Sequence, residues 1–235
     1  MKKLIVLLTV LVFVVSAVTV YAAVQGSKHD FTTATGPDAT IANASLCGTC
    51  HIPHGGALTG DAPLWAKNLA ALGPYTTYNS SGTGATLSGT AVGAPGTMSL
   101  VCLSCHDGTV GIQTITKNSV TYNIGAVTAG TYVNAAGTIN ATVGANGYSP
   151  LIGTDLTNDH PVGLVYDSAN ATLAGLNSTV NATTDRVVDI YPLFGGGDGV
   201  GTTECASCHD PHDTTNVPFL RAPIANVCGD CHSGK

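Results

Sequence analysis

Eight cysteines and eight histidines account for the most regular feature of the chain. The cysteines fall as Cys47-Gly-Thr-Cys50-His51, Cys102-Leu-Ser-Cys105-His106, Cys205-Ala-Ser-Cys208-His209 and Cys228-Gly-Asp-Cys231-His232. Positions i, i+3 and i+4 share one face of a helical turn, so two thiols at this spacing can form thioethers with the two vinyl groups of a haem while the following His reaches the iron. Each motif therefore specifies one covalently attached haem c and its proximal ligand, four haems in all, and no cysteine is left over. Four disulfides, thiolate zinc sites and thioredoxin-type redox chemistry are the competing uses of such pairs. None of these needs a His directly after the second Cys every time.

The other axial position decides whether an iron can meet a substrate. Setting aside the proximal His51, His106, His209 and His232 leaves His29, His54, His160 and His212, one distal ligand per haem. The metal ligands expected are these eight histidines, giving four bis-His irons. Met98, the competing distal donor, lies four residues before Cys102, too close to fold over the far side of that haem, and reads as packing. Two of the spare histidines belong to a repeated pattern, His51-Ile-Pro-His54 and His209-Asp-Pro-His212. Pro53 and Pro211 push the residue before them out of helical geometry, so the next His leaves the haem-bearing turn. His54 cannot reach the far side of the haem held by His51, and must serve a neighbouring haem or none. The simplest assignment gives His54 to the haem of Cys102 and Cys105, and His212 to that of Cys228 and Cys231. His29 and His160 remain for the haems of Cys47 and Cys205, with exchange between halves or between molecules open.

These motifs form an internal repeat of a free His, a C-x-x-C-H-x-P-H motif and a plain C-x-x-C-H. It divides residues 24–235 into two di-haem halves, about 24–118 and 150–235, of one tetrahaem domain. Between the motifs, chiefly over 69–100 and 123–184, run stretches rich in Gly, Thr, Ala, Ser and Asn. Weak alternation at Ser119–Ile124 and Arg186–Tyr191 predicts a few short edge strands, and long helical periodicity is absent. Pro161 holds His160 in extended backbone. The run Gly195–Gly201 matches no phosphate-binding pattern and reads as a connector, with calcium at Asp198 as the alternative. The fold expected is mostly irregular coil with short helices at the haem motifs and a few short strands, packed around haem.

Composition agrees. Only 9% of residues are charged, against roughly 25% in ordinary domains. Yet 44% are apolar with a net charge of −6, which is not the signature of disorder. Aromatics are 6% and Gly contributes 29 residues, so the side chains supply a thin core that four haems would complete. An acidic chain lacks the basic stripe of a nucleic-acid binder. Lys2 and Lys3 ahead of the apolar run Leu4–Val20 and the small residues Ala22 and Ala23 predict a signal peptide over 1–23, cleaved after Ala22 or Ala23, with an uncleaved anchor as the alternative. Its removal takes two of the eight basic residues, leaving six against fourteen acidic and a charge of −8. The mature chain is expected to be exported, without a membrane anchor, and extracellular, at the cell surface, or periplasmic.

An electron-transfer protein and a multihaem reductase are the two functional classes in view. The even His count and the single Glu favour electron transfer over catalysis. The motif order, the C-H-x-P-H pairs and the segment Lys28-His-Asp-Phe31 resemble the extracellular tetrahaem cytochromes of metal-reducing bacteria, the filament-forming OmcE type. The resemblance implies a head-to-tail homopolymer conducting electrons through closely spaced haems, with other cytochromes and extracellular acceptors as partners. It also implies one distal His supplied by the adjacent protomer, His29 being the first candidate and His160 the second. A monomeric periplasmic shuttle is the alternative. Without haem a chain this poor in core residues should not fold: a version with all eight cysteines changed to alanine is expected to lose the native circular dichroism, and retention of that signal refutes the expectation.

Overall fold

A computed structural model describes residues 24–33, 39–59, 62–78, 94–144, 147–167, 176–177, 180–181, 186–197 and 200–232. The expected signal peptide, much of both linkers (79–93 and 168–175) and Asp198 lie outside the described residues. Sequence dense in Gly, Asn and Thr offers few positions that fit a half-buried pleated surface, so the strands are two to four residues long. Thr40–Ile41 (β1) pairs antiparallel with Val127–Thr128 (β6). Ala57–Thr59 (β2) pairs with Ala62–Trp65 (β3), and Thr114–Lys117 (β4) with Val120–Asn123 (β5). Phe194–Gly197 (β11), Val200–Thr203 (β12) and Leu164–Asp167 (β7) form a sheet in the order β11-β12-β7. Val180–Asn181 (β8), Arg186–Val187 (β9) and Tyr191–Pro192 (β10) form another in the order β10-β9-β8. The segment 119–124 thus contains a strand, whereas 186–191 makes two, joined by a turn in which Val188 and Asp189 take φ of 44° and 60°.

Helices occur at three of the four attachment motifs: Thr97–His106 (α1), Cys205–Cys208 (α2) and Ile224–Cys231 (α3). The first motif is a single turn, in which the His51 amide donates to the Cys47 carbonyl at 2.8 Å. It stops there because Pro53 makes Ile52 extended, and the Ile52 amide donates instead to the Leu64 carbonyl at 2.8 Å. Among the described residues no helix is long and apolar enough to cross a membrane.

Nine of the buried apolar side chains form two clusters. Ala39, Ile41, Ile112 and Val133 pack with Phe31, Ile124 and Cys105. Tyr166, Val187, Tyr191, Leu193 and Ala222 pack with Val227 and Cys231. Each cluster has a motif cysteine on its edge. The first cluster extends to Ile139, beyond the half-boundary near 118 expected from the motifs. Val187 is fully buried. Val187→Ala is expected to lower stability by about 2 kcal/mol, from two lost methyl contacts and a cavity; an unchanged denaturant midpoint refutes that.

Candidate haem sites

Every motif closes the same backbone turn. His51, His209 and His232 each donate their amide to the carbonyl of the first cysteine of their motif, at 2.8, 3.0 and 2.8 Å, and Cys102–His106 lies within α1. Both sulfurs and the imidazole therefore share a face in all four. Local structure holds each turn. At the first, the Ala66 amide donates to the Cys50 carbonyl at 2.8 Å, and Trp65 Nε1 donates to Ser104 Oγ of α1 at 3.3 Å. At the third, β12 runs directly into Glu204 and α2. All eight cysteines are free of disulfides.

Six of the eight histidines meet in pairs. Ring centres lie 6.2 Å apart for His29 and His106, 6.1 Å for His51 and His212, and 6.3 Å for His160 and His232. Two imidazole nitrogens, each about 2.0 Å from a shared first-row metal, put the ring centres about 6 Å apart. The pairs thus fit an iron held from both sides. Each brings two nitrogens rather than the four donors of a structural zinc site, and no group of three or more metal-binding side chains occurs among the described residues. Burial, then the neighbouring His106, His212 and His209, push His29 down to about 4, leaving it in the neutral form that ligation needs. Burial also pushes the Cys50 and Cys231 thiols up to about 12, which keeps them protonated and disfavours a thiolate at either position. The carbonyls of Pro150, Pro161 and Pro218 lie 2.7, 3.0 and 2.9 Å from Nδ1 of His106, His160 and His209. A carbonyl can only accept, so Nδ1 carries the proton and Nε2 is left to ligate.

The partners differ from the simplest assignment made on sequence. His29 meets His106 instead of His51, and His160 meets His232 instead of His209. His212 faces His51 rather than His232. The loop 209–221 is closed by Asp210 N to Phe219 O at 2.7 Å, Arg221 N to Cys208 O at 2.9 Å and an Arg221–Asp210 ion pair at 3.1 Å, so His212 is presented away from the fourth motif. His54 is exposed on the turn after Pro53 and does not meet the Cys102 motif; no ring faces either it or His209 at this spacing among the described residues. His29 and His160, the candidates for ligation across protomers, both have partners inside the chain.

The motifs neighbour one another in chain order. The Cys50 thiol feels Cys105, Cys102 and Cys205 share a sulfur contact, and Cys208 lies beside Cys228 and Cys231. The contact between the second and third motifs is held by two residues with no place in the ligand count. Glu204, the chain's only Glu in residues 24–235, is buried and accepts from the Gly96 amide at 3.1 Å and from Ser99 Oγ, both at the start of α1. Ser99 Oγ in turn accepts from the Cys205 amide at 3.0 Å. The carboxylate caps a helix 108 residues away in sequence, where the helix dipole favours an anion. A Cβ at Gly96 would lie 2.4 Å from Glu204 Oε1, so any larger residue there would displace the carboxylate from its bonds. The rarity of Glu and its place before Cys205 were the available signals for this clamp.

The family model for the doubled CXXCH motif matches residues 198–235, which hold the third and fourth motifs. That stretch is multihaem c-type cytochrome-like. Its two CXXCH motifs imply covalent haem c, consistent with an electron-transfer protein. Comparison with curated proteins finds no sequence match. Ser99→Ala leaves the part-buried Cys205 amide and the buried Glu204 each short of a partner. It is expected to cost about 1–3 kcal/mol without changing the visible spectrum of the attached haems; a changed spectrum with unchanged stability refutes a purely positioning role.

Proposed function

We propose that the protein is a tetrahaem electron conduit that polymerises head to tail, the last ligand of each protomer coming from the next. When bound, each haem supplies a one-electron iron couple, at a lower potential with two imidazoles than with His and Met. The chain's own part is to fix four such groups in a row, at contact range, each closed to substrate.

The observation that carries the reading is the rule followed by the ring pairs. The free His ahead of each half serves the second motif of that half: His29 for His106, His160 for His232. The His after each proline serves the first motif of the preceding half: His212 for His51. His54 has the same place in its half as His212, and His209 the same place as His51, but neither meets a partner ring among the described residues. Repeating the rule in a second copy brings His54 of that copy to His209, completing the fourth pair. The distal ligand in trans is thus His54, in place of His29 or His160. Exposed apolar side chains at both ends support the contact: Val120 and Tyr122 lie on the hairpin whose Asn118 amide donates to Gly55 O at 2.7 Å, beside His54, and Val217 lies next to Pro218 at His209. Such unlike surfaces make a heterologous contact, which propagates as an open filament when its rotation does not close. An extracellular filament is the form this function takes, with other cytochromes and extracellular acceptors as partners.

The unpaired His209 favours a second reading, an open-haem reductase. His54→Ala separates the two. The conduit predicts separate particles in electron micrographs with one haem in four high-spin, and filaments with four low-spin haems in the unsubstituted protein. Filaments that form normally and stay fully low-spin without His54 refute the trans ligand, and a high-spin haem that persists in the unsubstituted polymer supports the reductase.

A further inference from the structure

Four charged side chains are buried among the described residues: Asp30, Lys67, Asp107 and Glu204. Their signs are not evenly distributed. Lys67 follows Ala66, whose amide bonds the Cys50 carbonyl, so the residue that bears the single buried ammonium among the described residues is anchored beside the first motif. Its three protons go to the carbonyls of Gly111 at 3.3 Å, Ile112 at 2.8 Å and Thr114. None goes to a carboxylate; the ion pairs among the described residues are those of Asp210. The three carboxylates surround the second motif and its junction with the third. Asp30 follows His29 and accepts from the Gly26 and Thr32 amides at 2.8 and 2.9 Å. Asp107 follows His106 and accepts from Tyr75 Oη and the Thr109 amide, both at 2.8 Å. Glu204 joins α1 to Cys205 and has no cation beside it.

Uncompensated charge away from water acts strongly on its neighbours and is poorly screened by salt. Reduction removes one positive charge from an iron site, so a nearby cation favours the reduced form and a nearby anion the oxidised form. We propose that these buried charges grade the row of redox sites, Lys67 making the first motif's haem the easiest to reduce and Glu204, with Asp30 and Asp107, making the second motif's haem the hardest. In a polymer the grading recurs once per protomer, an electron resting at each first motif and crossing a rise at the second. This rests on the reading that all four motifs carry bis-His haem.

The test is a redox titration of the haem-loaded protein, followed haem by haem through the paramagnetically shifted haem methyl resonances. The unsubstituted protein is expected to show its highest potential at the first motif and its lowest at the second; any other order overturns the proposal. Lys67→Met should lower the reduced-to-oxidised ratio of the first haem at fixed applied potential about tenfold, about 59 mV for a one-electron couple, while Lys67→Arg leaves it in place. Glu204→Gln should raise the second and third haems in the same measure. Potentials that stay put in both, with four low-spin haems present, also overturn it. A haem count below four, or a high-spin iron in the unsubstituted polymer, is instead a failure of the underlying bis-His reading, and is seen before any potential is measured.

Discussion

Two imidazoles facing each other across about 6 Å, one anchored beside a pair of cysteines and the other brought from elsewhere in the chain, is the constraint that organises this protein. The near ring comes with its motif at no conformational cost, because one helical turn supplies it. The far ring cannot come from the same turn, so each pair needs a long closure: 77 positions separate His29 from His106, 161 separate His51 from His212, and 72 separate His160 from His232. Short strands, closed loops and scattered Asx turns accompany these long-range histidine contacts in place of an extensive apolar core.

Polar interactions have correspondingly specific tasks. The Glu204–Ser99 clamp brings α1 to α2 across more than a hundred residues, and the Lys67 ammonium ties the β2–β3 hairpin region to the segment after α1 by bonding three carbonyls in succession. Burying either charge is expensive unless its hydrogen bonds are made. Both are placed where they fix neighbouring motifs, and a chain with few charges has kept these in its interior. The small apolar clusters end on Cys105 and Cys231, which agrees with the thin core anticipated from composition.

The attachment motifs, the coil-rich, low-helix character and the strand around 120–123 could be read from residue types and spacing, because each rests on local geometry. The pairing of the histidines could not. Proline at 53 and 211 states that the next His leaves its own turn, but not its direction. That was set for His212 by the Arg221–Asp210 pair and the closure of 209–221, neither of which has a local signature. The same holds for Glu204 and Lys67, whose partners lie far off in sequence or are backbone carbonyls that any residue could offer. The first motif's failure to extend into a helix was foreshadowed by Pro53.

His212 reaching back over one motif to His51 has a consequence for how such chains can change in length. If each pair of motifs is completed by the pair that follows, the wiring contains no reference to how many pairs one chain holds. The polypeptide that runs from the second motif to the third and the proposed joint between copies would then do the same job. Duplication or loss of a di-haem segment would move the joint without altering the row, as a rope is unchanged by where its strands are spliced.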